Sequence, residues 1–62
     1  MMFTIWIKYH HGKRFSKRWT TFDSKRAEKI ANFYVQESYR EYVKVVCYDG
    51  YTTETLWYKK PD

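Results

Sequence analysis

Polar and apolar positions alternate from the first residues of the chain. Between Met2 and His10, Phe3, Ile5, Ile7 and Tyr9 fall on one side, and Thr4, Trp6, Lys8 and His10 on the other. This period of two predicts a half-buried β-strand. Gly12 then marks a reversal, and Arg14 to Phe22 alternates again. Pairing Tyr9 with Phe15, Ile7 with Lys17 and Ile5 with Trp19 gathers the apolar residues on one face, with a loop of three or more residues. A tight two-residue turn would set Phe3, Ile5 and Ile7 beside Arg14, Ser16 and Arg18, because a slip of one residue exchanges the faces. The first register is the expectation. It leaves Lys17 awkwardly on the apolar side. It also predicts an outer face of Thr4, Trp6, Lys8, His10, Arg14, Ser16, Arg18 and Thr20, with Trp6 roughly opposite Arg18. In that arrangement Trp6 is open to solvent and Trp19 is covered.

The period then changes. Ala27, Ile30, Ala31, Tyr34, Val35 and Ser38 share one stripe at helical spacing, while Lys25, Lys29, Asn32, Gln36 and Arg40 face away. Asp23 or Ser24 is the expected N-cap, with Phe22 stapled back onto Ala27 and the helix running to about Tyr42. Val43 to Tyr48 reads as a strand, Asp49-Gly50 as a tight hairpin turn, and Tyr51 to Lys60 as the return strand ended by Pro61. Whether Leu56 or Trp57 faces inward depends on the loop length and stays open. The expected fold is α+β, in the order β-β-α-β-β. It forms a single domain over residues 1–62, with one antiparallel four-stranded sheet and a single helix packed on one face.

Charge adds a direction to this picture. The net charge of +5 lies wholly before Asp23, in Lys8, Lys13, Arg14, Lys17 and Arg18; from Asp23 onward seven Lys/Arg face seven Asp/Glu. Such a one-sided field favours polyanions or acidic protein surfaces. Fourteen aromatic residues in 62 exceed what a small core can hold, so some are expected at the surface. Trp6, Lys8, Lys13, Arg14, Ser16, Arg18 and Thr20 are therefore the candidate nucleic-acid contacts. Trp6 would stack, the cations would hold phosphates, and the hydroxyls would hydrogen-bond. The competing reading is a solvated face in which Trp6 and Arg18 form a cation–π pair. Tyr48, Tyr51, Trp57 and Tyr58 form a second candidate surface, for a protein partner or a homodimer.

Catalytic and metal chemistry find no pattern. His10 and His11 are adjacent and point to opposite faces of a strand, and no second ligand pair accompanies them. Cys47 is the only cysteine and sits in an apolar run, which fits a buried thiol in a reducing cytosol. No nucleophile–base arrangement, glycine-rich phosphate loop, apolar span or leader is visible. The expectation is a non-enzymatic cytoplasmic protein with no cofactor, metal, membrane or small-molecule substrate. DNA stands ahead of RNA as its partner.

Trp6-x-Lys8-Tyr9, Gly12-Lys13-Arg14, Lys17, Thr21-Phe22-x-Ser24-Lys25 and Ala27-Glu28 resemble the arm-type DNA-binding domain of phage and transposon tyrosine recombinases. The resemblance covers residues 6–31. It implies a sheet that enters the major groove, with Lys8, Arg14, Ser16 and Arg18 as contacts. That family places three strands before its helix, whereas two precede it here. In size and style the chain is also similar to the small phage-encoded inhibitors of host nucleases, of the anti-restriction and anti-CRISPR kind. That likeness implies docking on an acidic surface of a nucleic-acid-handling protein in a bacterial cytosol.

Overall fold

The structure, a computed structural model, describes residues 1–9, 11–37 and 41–60. Strand β1 (Met2–Tyr9) and strand β2 (Ser16–Thr21) precede helix α1 (Ser24–Glu37), and strands β3 (Glu41–Tyr48) and β4 (Thr53–Lys59) follow it. The strands form one sheet in the order β2-β1-β3-β4, and every neighbouring pair is antiparallel. The α+β fold read from the sequence is the fold observed. The placing of His10, Ser38, Arg40 and Pro61 lies outside the described residues.

The core follows from the alternation in the two central strands. Ile5 and Ile7 of β1 and Val43, Val45 and Cys47 of β3 are buried against Ala27 and Ala31 of the helix. Phe3, Ile30, Tyr34, Val35 and Tyr58 close around them. Burying a side chain such as Ile5 or Val45 stabilises the fold by about 1.5–3 kcal/mol. The two alanines carry no side chain beyond Cβ, so the helix axis lies close to the sheet.

Asp23 caps the helix. Its Oδ1 accepts from the amide N–H groups of Lys25 at 3.0 Å and Arg26 at 3.5 Å, and its own amide donates to Thr21 Oγ1 at 3.1 Å. The first turn carries no acidic residue, so the Asp23 carboxylate is the negative charge at the positive end of the helix dipole. Two expectations fail here. Phe22 is 77% exposed and does not staple onto Ala27. The helix reaches Glu37 and not Tyr42, because Glu41 and Tyr42 pair with Tyr9 and Lys8 as the first residues of β3. A sheet ladder satisfies their backbone groups, which overrides helical propensity.

The first hairpin keeps the expected register only at its base. Phe3, Thr4 and Ile5 pair with Thr21, Thr20 and Trp19, but Trp6 then pairs with Lys17 and Ile7 with Ser16. Arg18 is the extra residue of a β-bulge, and its insertion exchanges the faces of everything before it on β2. Lys17 moves out to the open face beside Trp6, away from the apolar side of the sheet. Ser16 takes the position across from Ile7. The expected pairs Tyr9–Phe15 and Ile7–Lys17 do not form.

A second irregularity lies between Val43 and Lys44 on the β3–β4 side. Val45 pairs with Leu56 and Lys44 with Trp57, so Leu56 takes the helix side and Trp57 the open side. Tyr58 is the unpaired residue and packs against the core cluster.

The turns differ in kind. Gly50 has a φ of 95°, the left-handed conformation that the Asp-Gly pair predicts. The loop spans residues 49–52, however, and is no two-residue hairpin. Asp49 Oδ1 accepts from the amides of Tyr51 and Thr52, each at 2.7 Å. Gly12 does not adopt a positive φ. Its role is close approach: its amide donates to the Tyr9 carbonyl at 2.8 Å, and a Cβ there would stand 3.2 Å from the same oxygen.

Candidate functional site

The helix covers one face of the sheet, and the other face carries the candidate chemistry. Across its middle, Lys17 of β2, Trp6 of β1, Lys44 of β3 and Trp57 of β4 stand in consecutive pairings. Cations and indoles therefore alternate along one row that crosses all four strands. Neighbouring strands lie about 4.8 Å apart, so the two indoles are spaced by roughly 10 Å with an ammonium between them. The next row holds Lys8 opposite Tyr42, with the Lys8 ammonium 5.6 Å from the Tyr42 ring centroid. On the other side lie Thr20, Thr4, Val46 and Thr55.

Phe15 completes the arrangement. Its ring meets Trp57 edge to face, with centroids 5.8 Å apart and an interplanar angle of 65°. The Lys44 ammonium stands 4.2 Å from the Phe15 centroid and 5.6 Å from that of Trp57. Phe15 precedes one edge strand and Trp57 belongs to the other, so their rings converge above the two central strands. Bulges increase local twist and bend the strand that carries them, and one lies beside each edge strand. In the described residues, no Asp or Glu pairs into the open side of these rows, while Lys8, Lys17 and Lys44 all do. Among the described residues this face is electropositive and carries rings.

The expected contacts divide accordingly. Trp6, Lys8 and Thr20 lie on the open face. Lys13 and Arg14 are exposed in the connection that leads to Phe15. Arg18 does not stand beside Trp6. Its guanidinium donates to the Tyr9 hydroxyl at 3.1 Å and lies 5.7 Å from that ring's centroid, so the expected Trp6–Arg18 pair is replaced by Tyr9–Arg18. Ser16 is turned to the Ile7 side by the same bulge.

Exposure also departs from expectation. Trp6 is half-buried, whereas Trp19 on the helix side is 46% exposed because it sits on an edge strand beyond the helix. The Arg26 guanidinium lies 6.0 Å from the Trp19 ring.

The second expected surface does not hold together as one. Trp57 and Tyr48 share the open face with Trp6. Tyr51 is 94% exposed in the 49–52 loop, and Tyr58 turns to the core. Lys17, Lys44, Tyr42 and Phe15 were not singled out by the sequence. The signal for Lys44 is its place between Val43 and Val45, where alternation alone puts it on the face opposite the core. The charge imbalance before Asp23 draws attention away from it. No local signal announces the bulge that re-aims Lys17 and Phe15.

Burial pushes the Cys47 thiol up, and the Glu54 charge raises it further, which disfavours the thiolate. Burial raises the Tyr58 hydroxyl in the same way, with smaller contributions from Glu28 and Cys47. Among the described residues no group of three or more His, Cys, Asp or Glu is placed to hold a metal ion. No helix there is long and apolar enough to cross a membrane. Comparison of the chain with family models, curated proteins and solved structures gave no match.

Proposed function

We propose that this protein is a non-enzymatic nucleic-acid-binding module that works through the open face of its sheet. The observation that supports this reading is the cross-strand row Lys17–Trp6–Lys44–Trp57, flanked by Lys8, with no carboxylate pairing into its face among the described residues. Lysines on such a face neutralise phosphates and release condensed counterions, which gives affinity without sequence preference. Trp6 and Trp57 offer flat apolar area to bases. Lys13 and Arg14, exposed in the connection before Phe15, add positive charge, and Thr20 supplies a hydroxyl. Arg18 and Ser16 leave the contact set, since the bulge carries both away from the open face. The reading agrees in its chemistry, though not in every residue, with the arm-type recombinase resemblance.

The test is a titration of labelled nucleic acid at several salt concentrations. The expected result is binding whose logarithm falls linearly with the logarithm of salt, with Lys17→Ala lowering the slope by about one phosphate contact. Absence of binding at 50 mM salt would overturn the proposal. Capture of an acidic protein in its place would move the same face to the inhibitor reading.

A further inference from the structure

We infer that the ligand of the open face is single-stranded nucleic acid, with bases stacked on its rings, and not duplex DNA read in a groove. This rests on the nucleic-acid reading above and sharpens it. Three observations carry it.

The first is width. Four strands separated by three gaps of about 4.8 Å put the outer backbones roughly 14 Å apart. The major groove of B-DNA is about 12 Å wide and admits a helix or a two-stranded ribbon. The β1–β2 hairpin cannot act as that ribbon, because β1 is a central strand bonded to β3 along its whole length.

The second is shape. Helix α1 packs on the other face, so this side presents no helix to a groove. Phe15 and Trp57, from opposite edges, meet over the middle of the face with the Lys44 ammonium against the Phe15 ring. A flexible strand with splayed bases can fit itself around such standing rings, whereas a rigid duplex cannot.

The third is the chemistry of the row. Trp57 is 41% exposed, so the indole keeps open surface after its contact with Phe15. Base–aromatic stacking depends on the π-face and tolerates any base. Duplex DNA hides those faces inside its stack, leaving the rings on this surface unused. Lys17 stands beside Trp6 on the neighbouring strand and can hold a phosphate next to a base stacked there. The Lys44 ammonium is engaged by the Phe15 and Trp57 rings. Ring stacking and phosphate contacts do not depend on the sugar, so DNA and RNA single strands should bind with similar affinity.

The experiment titrates the full chain with a fluorescein-labelled 12-nucleotide oligothymidylate, with oligouridylate of the same length, and with a 12-base-pair duplex, each at several salt concentrations. Both single strands should bind at least tenfold more tightly than the duplex, and should quench the intrinsic Trp fluorescence. Trp57→Ala should weaken single-strand binding by about fivefold to a hundredfold, the loss of one stacked base, without changing the salt slope. Trp57→Phe should restore most of it, which separates stacking from a folding defect. Lys17→Ala should lower the slope by about 0.7, as expected for one contact to a single strand. Equal or tighter binding of the duplex overturns the inference and leaves the nucleic-acid reading standing. Failure to bind any of the three probes removes both. Single-strand binding that is unaffected by Trp57→Ala also overturns the inference, because the rings would then be idle.

Discussion

Replacing Lys44 by Met keeps the length and most of the apolar stem of the side chain and removes only its charge. In the structure that charge lies 4.2 Å from the Phe15 centroid and 5.6 Å from the Trp57 centroid. Each cation–π contact at a partly solvated site contributes about 0.5–1 kcal/mol. Losing both should therefore destabilise the fold by about 1–2 kcal/mol. In a domain of this size, each kcal/mol corresponds to roughly 4–8 °C in Tm. The expected fall for Lys44→Met is then on the order of 5–15 °C.

Lys17→Met is the control. It removes the same charge from the same face, one position from Trp6 in the same row, and should stay within about 0.5 kcal/mol of wild type. The comparison discriminates because simple charge repulsion predicts the opposite: a chain of net charge +5 should gain from losing either lysine. A double-mutant cycle with Phe15→Leu isolates the closer contact, since Leu preserves apolar bulk but carries no ring. The coupling between Lys44 and Phe15 should be about 0.5–1 kcal/mol. It is read from urea midpoints at unchanged m-value. A coupling indistinguishable from zero, or a Lys44→Met protein as stable as Lys17→Met, would falsify the account of Lys44 as a clasp for the Phe15 and Trp57 rings.

Two further predictions concern the 49–52 turn. Gly50→Ala should destabilise by about 1–2 kcal/mol, through backbone strain alone, because φ is 95° and a Cβ there would meet nothing within 4 Å. Gly50→Asn should recover part of this loss in chemical denaturation, since Asn tolerates the left-handed region; equal stability of wild type and the Ala variant would contradict the geometry. The Asp49 carboxyl is held below its ordinary value, chiefly by the Thr52 and then the Tyr51 amide. Its stabilising effect is therefore fully present above the ordinary Asp range and lost as pH falls through the lowered folded value. Thermal melts from about pH 5 downward should show a shallower decline for Asp49→Asn than for wild type; parallel declines would mean that Asp49 titrates normally.

The alternation of the chain determined a great deal by itself. Ile5 and Ile7, Val43 and Val45, and the Ala27–Ala31 stripe each place one face against the core, because a period of two or 3.6 leaves no other way to bury them together. The order β-β-α-β-β, the Asp23 cap, the left-handed Gly50 and the open face bearing Trp6 and Lys8 all follow from local chemistry. Three things did not. The helix ends before Glu41 because a strand partner across the sheet takes residues whose local pattern continues the helix. Trp57 takes the open side and Leu56 the helix side through a register that depends on the 49–52 loop. The Arg18 bulge reverses half of β2, and with it the placing of Lys17, Ser16, Arg18 and Phe15. A bulge has no sequence signature of its own here. Its insertion moves the Lys17 side chain to the open face beside Trp6 and puts the small Ser16 across from Ile7. The β1 residues of the open face, Thr4, Trp6 and Lys8, were readable from the order of residues. Which cation stands beside which ring was decided only when four strands came together.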